Sequence, residues 1–359
     1  MRFRYLRPFI LLLIAITLIA CGGAKATPTP EPQTSAPTAS DTPTPLLDTG
    51  QKEEGVCEDA VTGEEKRPWR FVVISHGNPE SSKFWSVVKQ GADMAARDMR
   101  VTVEFWAPAS FNLEAMAQKV RETAASKPDG IVVSIPDAEV LRGPIEEAIA
   151  AGVPVITFNS GSGVAEQMDV LAHVGQTEYT AGYAAGEALA QAGATKGLCL
   201  IQEVGNTALE VRCQGFADAM NAAGGQVNNL VVETDDPAQA EQAISQALIN
   251  DPTIDAVLAL GPSIGEPALA ALRAGDLLGK VRLASFDLSP EMLEAVQAGE
   301  MLFLVDQQPY LQGYLPIVYL TQYLVNASRP ATKIILTGPS LVTQENAGHV
   351  LELSQEGLR

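Results

Sequence analysis

The sequence contains few of the residues that most catalytic and metal sites use. Three histidines occur in 359 residues, His76, His173 and His349, and no two of them have the spacing of metal ligands. Gly161-Ser162-Gly163 lacks the third glycine of a dinucleotide fingerprint, the ending of a phosphate loop and the frame of a hydrolase elbow. These absences favour a binding protein that is not an enzyme and that needs neither metal nor cofactor.

Positive charge is scarce as well. The chain carries 24 Lys and Arg against 43 Asp and Glu, which gives a net charge of −19. Because Lys and Arg supply most contacts to phosphate, this balance argues against nucleic acid as a partner. It also disfavours adsorption to anionic lipid, and the simplest role of the acidic surface is solubility.

The apolar run at the N-terminus is too short to span a bilayer, which takes about 20 apolar residues. It extends from Phe9 to Leu18, follows three arginines and ends shortly before Cys21. This order is typical of a secretory signal, and the cysteine resembles the lipobox of bacterial lipoproteins. We predict a signal peptide over residues 1–20, cleavage before Cys21 and a lipid on its sulfur. An uncleaved anchor is the alternative.

The segment after this cysteine has almost no large apolar residues. Residues 24–49 are rich in Thr, Pro, Ser and Ala, and residues 50–66 are charged. Such a composition does not bury enough surface to offset the entropy lost on ordering. We therefore predict that residues 21–67 are a lipid-anchored spacer, which places the protein outside the cytoplasm, at the periplasmic or outer face of the cell membrane. The lipid would be its membrane contact.

Cysteine is also rare, with four in the chain. With Cys21 assigned to lipid, Cys57, Cys199 and Cys213 remain in a compartment where disulfides persist. Cys199 lies in a strand-like run and Cys213 in the helical segment that follows, so a bridge between them is feasible. Two buried free thiols are the alternative, because geometry decides bridging.

Beyond residue 68, short apolar runs alternate with longer segments of helical periodicity. Most runs are apolar on both faces, as in strands covered by helices on each side. The repeated order of strand, helix and strand predicts an α/β fold with parallel sheets. The predicted strands are Phe71–Ser75, Val101–Phe105, Gly130–Ile135, Pro154–Phe158, Leu198–Gln202, Val227–Glu233, Ala256–Leu260, Arg282–Phe286, Met301–Val305 and Lys333–Leu336. The clearest helices are Glu114–Ser126, Val140–Ala151, Tyr179–Ala194, Val211–Ala223 and Ala238–Asn250.

Ten strands suit two sheets of about five or six strands better than one large sheet. We predict two doubly wound lobes with a cleft between them. Ligands of parallel sheets collect beyond the carboxyl ends of the strands, where planar polar groups can bridge sugar hydroxyls and aromatic rings can stack on a sugar ring. The candidates at these positions are His76, Asn78, Phe84, Trp85, Asn159, Ser160, Arg212, Asp287 and Gln307.

Several of these residues belong to motifs whose order and spacing are informative together. The motifs are Asn78-Pro79, Phe84-Trp85, Gly91-Ala92, Gly152-Val153-Pro154-Val155-Ile156-Thr157-Phe158-Asn159, Val174-Gly175-Gln176, Ala181-Gly182, Arg212, Gly215-Phe216, Ser285-Phe286-Asp287, Pro290-Glu291, Asp306-Gln307-Gln308-Pro309 and Gln312-Gly313. From Trp69 to about Leu351 the chain resembles the type I periplasmic sugar-binding proteins, the ribose-binding class of ABC importer receptors.

The resemblance implies a three-crossing hinge between two lobes built from discontinuous pieces. The N-terminal lobe would comprise residues 68–173 and 308–336, and the C-terminal lobe residues 174–307 and 337–353. The chain would cross near His173-Val174, Gln307-Gln308 and Leu336-Thr337. A hinge or packing role is then expected for His173.

The resemblance also implies which residues contact the ligand. Asn78, Phe84 and Trp85 would do so from the first lobe. Arg212, Asp287 and Gln307 would do so from the second lobe and the hinge. The alternatives are a simple turn at Asn78, a core position for one of the two aromatic rings, and a structural ion pair between Arg212 and Asp287.

This chain departs from the family pattern at two places. Asn159-Ser160 stands where many ribose-type receptors carry Asp-Arg, and Gly261-Pro262 stands where they often carry Asn-Asp. These changes leave the identity of the sugar open. Trp106 and Asp137, each just past a predicted strand, are candidates for substitute contacts, with loop packing as the alternative for Trp106.

Taken together, the sequence predicts a monomeric substrate-binding lipoprotein of an ABC importer. It would capture a monosaccharide or related polyol between closing lobes and deliver it to a membrane permease. The alternatives are a sensor of the same fold that feeds a chemoreceptor or kinase, and a secreted hydrolase using His76 or His173 with a serine. A related repressor is disfavoured, because the spacer stands where its DNA-binding helices would be.

Overall fold

A computed structural model describes residues 66–232 and 236–359, which belong to one compact unit spanning residues 63–359. The predicted signal peptide, the lipidation site Cys21, the spacer as far as residue 65, Cys57 and Glu233 lie outside the described residues. Within the described part of the chain, no helix combines the length and apolarity needed to cross a membrane.

Strands and helices alternate along the chain. The strands are β1 (Arg70–Ile74), β2 (Thr102–Trp106), β3 (Gly130–Ser134), β4 (Val155–Asn159), β5 (Ala172–Gly175), β6 (Lys196–Ile201), β7 (Gln226–Val231), β8 (Ala256–Ala259), β9 (Arg282–Phe286), β10 (Phe303–Asp306), β11 (Ile334–Leu336) and β12 (Ser340–Val342). The helices are α1 (Lys83–Met99), α2 (Leu113–Ala125), α3 (Ala138–Ala150), α4 (Ser162–Ala165), α5 (Glu178–Gln191), α6 (Thr207–Ala222), α7 (Pro237–Asn250), α8 (Pro262–Ala274), α9 (Pro290–Ala298), α10 (Pro309–Asn326) and α11 (Ala347–Gln355).

The strands form two six-stranded sheets. The first has the order β11-β5-β4-β3-β1-β2 and is parallel throughout. The second has the order β12-β10-β9-β8-β6-β7 and is parallel except for β12, which runs antiparallel to β10. We call each sheet with its packed helices the first and the second lobe. This architecture confirms the predicted fold class.

The alternation of side chains along β1 shows how each sheet is covered. Phe71 and Val73 pack in one apolar cluster with residues of α1 and α10, whereas Val72 and Ile74 pack in another with residues of α2 and α3. Because successive side chains of a strand point to opposite faces, both faces of this strand are buried. Burial of both faces explains why such strands are continuous apolar runs in the sequence.

Helix starts follow the capping signals of the sequence. The Asp236 carboxylate accepts a hydrogen bond from the Ala238 amide, and the Ser289 hydroxyl accepts one from the Met292 amide. A proline follows each cap at the first helical position, where its missing N–H costs no hydrogen bond. At the end of α9, Gly299 adopts a left-handed conformation with φ of 75°.

All ten predicted strands are present, with ends within two residues of the prediction. The prediction missed β5 and β12, which are four and three residues long. It was therefore wrong about the first crossing: His173 and Val174 lie inside β5, paired with Ile334 and Ile335 of β11. The chain instead leaves the first sheet after Gly175.

The chain passes between the sheets three times. It does so between β5 and α5, between β10 and α10 at residues 307–308, and between β11 and β12 at residues 337–339. The last connection is too short for a crossover helix, which explains why β12 enters the second sheet antiparallel.

Cys199 of β6 and Cys213 of α6 form a disulfide, with their Cα atoms 5.8 Å apart and 14 positions apart in sequence. Of the two alternatives left open by the sequence, the structure shows the bridge. In the chain-entropy account, closing a loop of this length stabilises the folded state by about 3 kcal/mol. The bridge also fixes α6, which carries Arg212, against the second sheet.

Candidate functional site

The carboxyl ends of the two sheets contact each other. Thr207, at the start of α6, donates hydrogen bonds from its amide and its hydroxyl to the Pro136 carbonyl, at 3.2 and 2.9 Å. Pro136 follows β3 of the first sheet, so this contact joins the lobes across the cleft. The lobes are therefore closed on one another at this point.

Arg212 is the centre of a buried polar chain on the second lobe. Its side chain is 4% exposed and forms an ion pair through Nε with Glu178, which is 5% exposed. Its Nη2 donates to Gln307 Oε1 at 3.2 Å, and Gln307 Nε2 donates to Asp287 Oδ1 at 2.6 Å. The guanidinium also lies 4.6 Å from the centre of the Phe286 ring. The side-chain amide of Gln307 thus links the Arg212 guanidinium to the Asp287 carboxyl group.

The first lobe joins this chain through α10. Gln312 Nε2 donates to the Gln307 carbonyl at 3.0 Å, while Gln312 Oε1 accepts from Asn159 Nδ2 at 3.1 Å. Ser160 Oγ donates to Asn159 Oδ1 at 3.0 Å. The third crossing takes part as well, because Thr337 Oγ1 donates to the Gln307 carbonyl at 2.7 Å. Gln307 is therefore the residue at which both lobes and two crossings meet.

Asp287 sits directly after β9 in a left-handed conformation, with φ of 62°. Burial raises its pKa to about 7, against the opposing effects of the nearby Arg212 charge and the Gln307 hydrogen bond. Because the effect of burial prevails, this carboxyl group is close to half protonated near neutral pH. It can accept hydrogen bonds from a ligand, and its protonated form can donate one.

An aromatic cluster borders the cleft on the first lobe. The rings of His76 and Trp85 meet edge to face with centroids 4.7 Å apart, and Trp85 contacts Phe84 and Phe158 in the same way at 5.1 and 5.9 Å. Phe111 adds a further edge contact to His76. Both Phe84 and Trp85 are buried, at 8% and 5% exposure. Burial alone therefore does not show which of these two rings faces a ligand and which packs in the core.

His76 is a neutral imidazole at physiological pH, because burial lowers its pKa to about 4. Ser134 Oγ accepts a hydrogen bond from the His76 amide and lies 2.9 Å from its ring Nδ1. Glu203 and Arg212 of the second lobe are close enough to act on His76 electrostatically.

A cavity of about 160 Å³ lies beside this site. Phe84 and Lys83 of α1 line it from the first lobe, Asp287 and Pro290 line it from the second, and Arg359 closes another side. Two predicted contact residues, Phe84 and Asp287, therefore border open space.

Three predicted site residues have local structural roles. Asn78 Oδ1 accepts from the Glu80 amide in the turn before α1. Asp137 is the N-cap of α3, where its Oδ1 accepts from the Glu139 and Val140 amides. Trp106, at the end of the edge strand β2, packs on the cluster beneath α2, with Lys119 Nζ 5.8 Å from its ring. These contacts hold the three side chains in place within the first lobe.

His173 lies within the first sheet, on β5. Its Nδ1 is 3.0 Å from Thr157 Oγ1 on the neighbouring strand, and burial lowers its pKa to about 4. Among residues 66–232 and 236–359, no group of three His, Cys, Asp or Glu side chains is placed to hold a metal ion.

Comparison with known proteins identifies the family. The periplasmic binding protein domain matches residues 71–328. This chain belongs to that family. A carbohydrate transporter from Acidothermus cellulolyticus, solved in complex with myo-inositol, is 30% identical with a TM-score of 0.76, over 81% of this chain and 99% of its own.

Two further relatives of this periplasmic binding protein share less of its sequence. The xylose/arabinose-binding protein XylF of Sulfolobus acidocaldarius is 23% identical over 297 residues, which cover 77% of this chain and 72% of its own. The glucose-galactose binding protein GanP from Geobacillus stearothermophilus shares the fold, with a TM-score of 0.69 and 22% identity over 78% of this chain and 99% of its own. The predicted resemblance to type I sugar-binding proteins is confirmed.

The sequence prediction missed two residues of the site of this periplasmic binding protein, Glu178 and Gln312. Glu178 begins α5, directly after the undetected β5. Recognising β5 would have placed this acidic residue at the carboxyl end of a strand, which is the signal used for the other candidates. Gln312 lies one turn into α10 and was noted as part of a motif without a role.

The buried Arg212 guanidinium should need the negative charge of Glu178 for the folded state to be stable. We predict that Glu178→Gln lowers the free energy of unfolding by about 3 kcal/mol, because it leaves a buried guanidinium without its ionic partner. Glu104→Gln is the matched control, since it removes the exposed partner of Arg70 and should cost less than about 1 kcal/mol. Urea unfolding at pH 7 measures both, and equal losses would contradict the prediction.

The raised pKa of Asp287 predicts a pH dependence of stability. The folded state retains a proton that the unfolded chain, with an ordinary pKa of 3.8, releases. This contribution to stability is full below about pH 4 and is lost as the pH rises through about 7. Asp287→Asn should therefore flatten the unfolding free energy between pH 4 and 7, while Asp276→Asn at an exposed site should follow the wild type. Parallel wild-type and Asp287→Asn profiles would refute the assignment.

Proposed function

We propose that this chain is the substrate-binding lipoprotein of an ABC importer and that it captures a neutral monosaccharide or related polyol between its lobes. The observation that carries the proposal is the buried chain from Glu178 through Arg212 and Gln307 to Asp287, beside an aromatic cluster. Planar guanidinium, amide and carboxyl groups match adjacent hydroxyls, and aromatic rings match the apolar face of a sugar.

The charge of the site favours a neutral ligand. Arg212 is already paired with Glu178, so its positive charge is compensated before any ligand arrives. Asp287 and Glu203 add negative charge near the cleft, and both act on the buried groups there. An acidic sugar or a sugar phosphate would have to bury its charge beside these carboxyl groups, which is costly.

The lobes would close on the ligand and open to release it. The ligand favours the closed arrangement only if it binds that arrangement more tightly, so contacts from both lobes are required. We propose lobe limits of 68–175 plus 308–336 and 176–307 plus 337–353, with the first boundary at the end of β5 because His173 and Val174 pair inside the first sheet.

The importer role rests on the family and on the relatives named above. Relatives are described as binding xylose and arabinose, and one structure holds myo-inositol. We propose that the closed monomer docks on a membrane permease and that no bond of the ligand is broken. We propose that secondary contacts to the ligand come from Asn78, Trp85, His76, Asn159 and Ser160. Trp106 and Asp137 would lie at the edge of the site.

A thermal-shift screen of the full chain tests the ligand class. The panel comprises myo-inositol, D-xylose, L-arabinose, D-ribose, D-allose, D-galactose and D-galacturonate. At least one neutral member should raise the melting temperature, because a ligand present at about 100 times its Kd stabilises the folded state by about 2.7 kcal/mol. D-Galacturonate should give a smaller shift than D-galactose. If no neutral member raises the melting temperature, the proposed ligand class is wrong.

The same screen supplies the ligand for a test of the site. Asp287→Asn keeps the shape of the side chain and should weaken binding of the best neutral ligand by about tenfold or more, as expected for a lost charge-assisted hydrogen bond. Asp276→Asn, which changes the same residue type on the surface, should leave Kd unchanged. Equal Kd values for all three proteins, measured by calorimetry, would overturn the site assignment.

The lipid anchor has its own test. We propose that Cys21 carries the lipid and that residues 24–66 hold the binding body within reach of the permease. Cys21→Ser should move the protein from the membrane fraction to the released fraction of cells that express it, whereas Cys57→Ser should leave it with the membrane. Retention of the Cys21→Ser variant in the membrane fraction would support an uncleaved anchor instead.

A further inference from the structure

A short segment after α11 returns to the hinge. We call residues 356–359 the strap. α11 packs against α9 of the second lobe, yet Gly357 lies against α1 of the first. A Cβ atom placed on Gly357 would lie 2.3 Å from Gln90 Oε1, and the glycine has φ of 75°. The positive φ would strain any other residue there, so it favours glycine, whereas the exposed end of the Gln90 side chain can move aside.

Arg359 joins the strap to the second crossing. Its Nη2 lies 2.7 Å from Asp306 Oδ2, and its Nη1 donates to Gln308 Oε1 at 3.1 Å. Asp306 and Gln308 are the two neighbours of Gln307, the residue at which the polar chain of both lobes meets. Asp306 is fully buried, whereas the Arg359 side chain is 26% exposed. The strap therefore supplies the charge partner of a buried carboxyl group in the hinge.

The contacts of Asp306 and Gln308 extend this connection. Asp306 Oδ1 accepts from the Gln308 amide at 2.7 Å, and Gln308 Nε2 donates to the Thr337 carbonyl at 2.7 Å. Thr337 belongs to the third crossing. A single guanidinium is thus linked to two of the three crossings, one directly and one through the Gln308 side chain.

Removing Arg359 would leave Asp306 without a cation. Burial raises the pKa of this carboxyl group, while the Arg359 charge and the Gln308 amide oppose the increase. A buried carboxylate that loses its partner must take up a proton or admit water, and either response loosens its hold on the Gln308 amide. The backbone on both sides of Gln307 would then be free to shift.

We propose that residues 356–359 strap the two lobes together at the hinge and that Arg359 is a positioning residue for Gln307. The part of this proposal that concerns ligand rests on the proposed function. Arg359 also borders the cavity that contains Phe84 and Asp287, so the strap stands beside groups proposed to contact the ligand. The strap should favour the closed lobes and slow the release of ligand.

Amide hydrogen exchange of the ligand-free full chain tests the strap. In Arg359→Ala, exchange of the Gln308 amide should rise about tenfold, because its acceptor Asp306 loses its partner. Arg359→Lys keeps the charge and should restore part of the protection. Arg329→Ala is the matched control, since Arg329 is an exposed arginine beside the Tyr323 ring. If exchange in Arg359→Ala equals that in Arg329→Ala, the strap does not hold the hinge.

Gly357→Ala provides a second variant that keeps Arg359. Its strained conformation should loosen the strap, and Gln308 exchange should rise in the same direction as in Arg359→Ala. Unchanged exchange in this variant would contradict the role of residues 356–359 as a unit. Both readouts are made without ligand, so they stand even if the proposed ligand class fails.

Binding kinetics test the positioning role. With myo-inositol as the first probe and the best panel ligand as the second, Arg359→Ala should raise Kd about tenfold, chiefly through a faster dissociation rate. Arg329→Ala should match the wild type. Faster Gln308 exchange together with an unchanged Kd would refute the positioning of Gln307. Failure of every panel member to bind the wild type would instead count against the proposed function, and the exchange data would then decide the strap.

Discussion

The buried contact between Arg212 and the Gln307 amide is the interaction on which the rest of the site depends. The side-chain oxygen of Gln307 accepts from the guanidinium, while its side-chain nitrogen donates to Asp287. The backbone carbonyl of Gln307 accepts from Gln312 and Thr337. Each partner comes from a different element, so none can move alone without leaving a buried polar group unsatisfied. The hinge and the cleft floor are one hydrogen-bonded structure, and the aromatic cluster only borders it.

Much of the fold could be predicted from the sequence, because β-strands covered on both faces are apolar throughout. β1, β3 and β9 follow this rule and were located within two residues. β5 was missed because its apolar run is interrupted by His173, whose ring Nδ1 lies 3.0 Å from Thr157 Oγ1 in the buried sheet. A buried polar residue that is satisfied by a partner distant in sequence leaves no periodic signal.

The site was less predictable than the fold, since position at the end of a strand does not determine a partner. Arg212, Asp287 and Gln307 were identified from such positions, and the structure places them in contact. The same rule selected Asp137, whose carboxylate caps α3 instead. Glu178 was not identified because the strand before it was missed. Its ion pair with Arg212 takes the place of the pair between Arg212 and Asp287 that the sequence left as an alternative.

The short connection between β11 and β12 limits how the lobes can separate. Three residues lie between these edge strands, so Leu336 and Ser340 can never be more than about 14 Å apart, even in a fully extended chain. This length limits how far the sheets can separate at this edge, so a wider opening of the cleft requires a rotation about it. β2 lies about 24 Å across the sheet from β11, at five strand spacings. The edge farthest from β11 and β12 moves most in such a rotation, so the cleft opens widest on the side of β2 and β7.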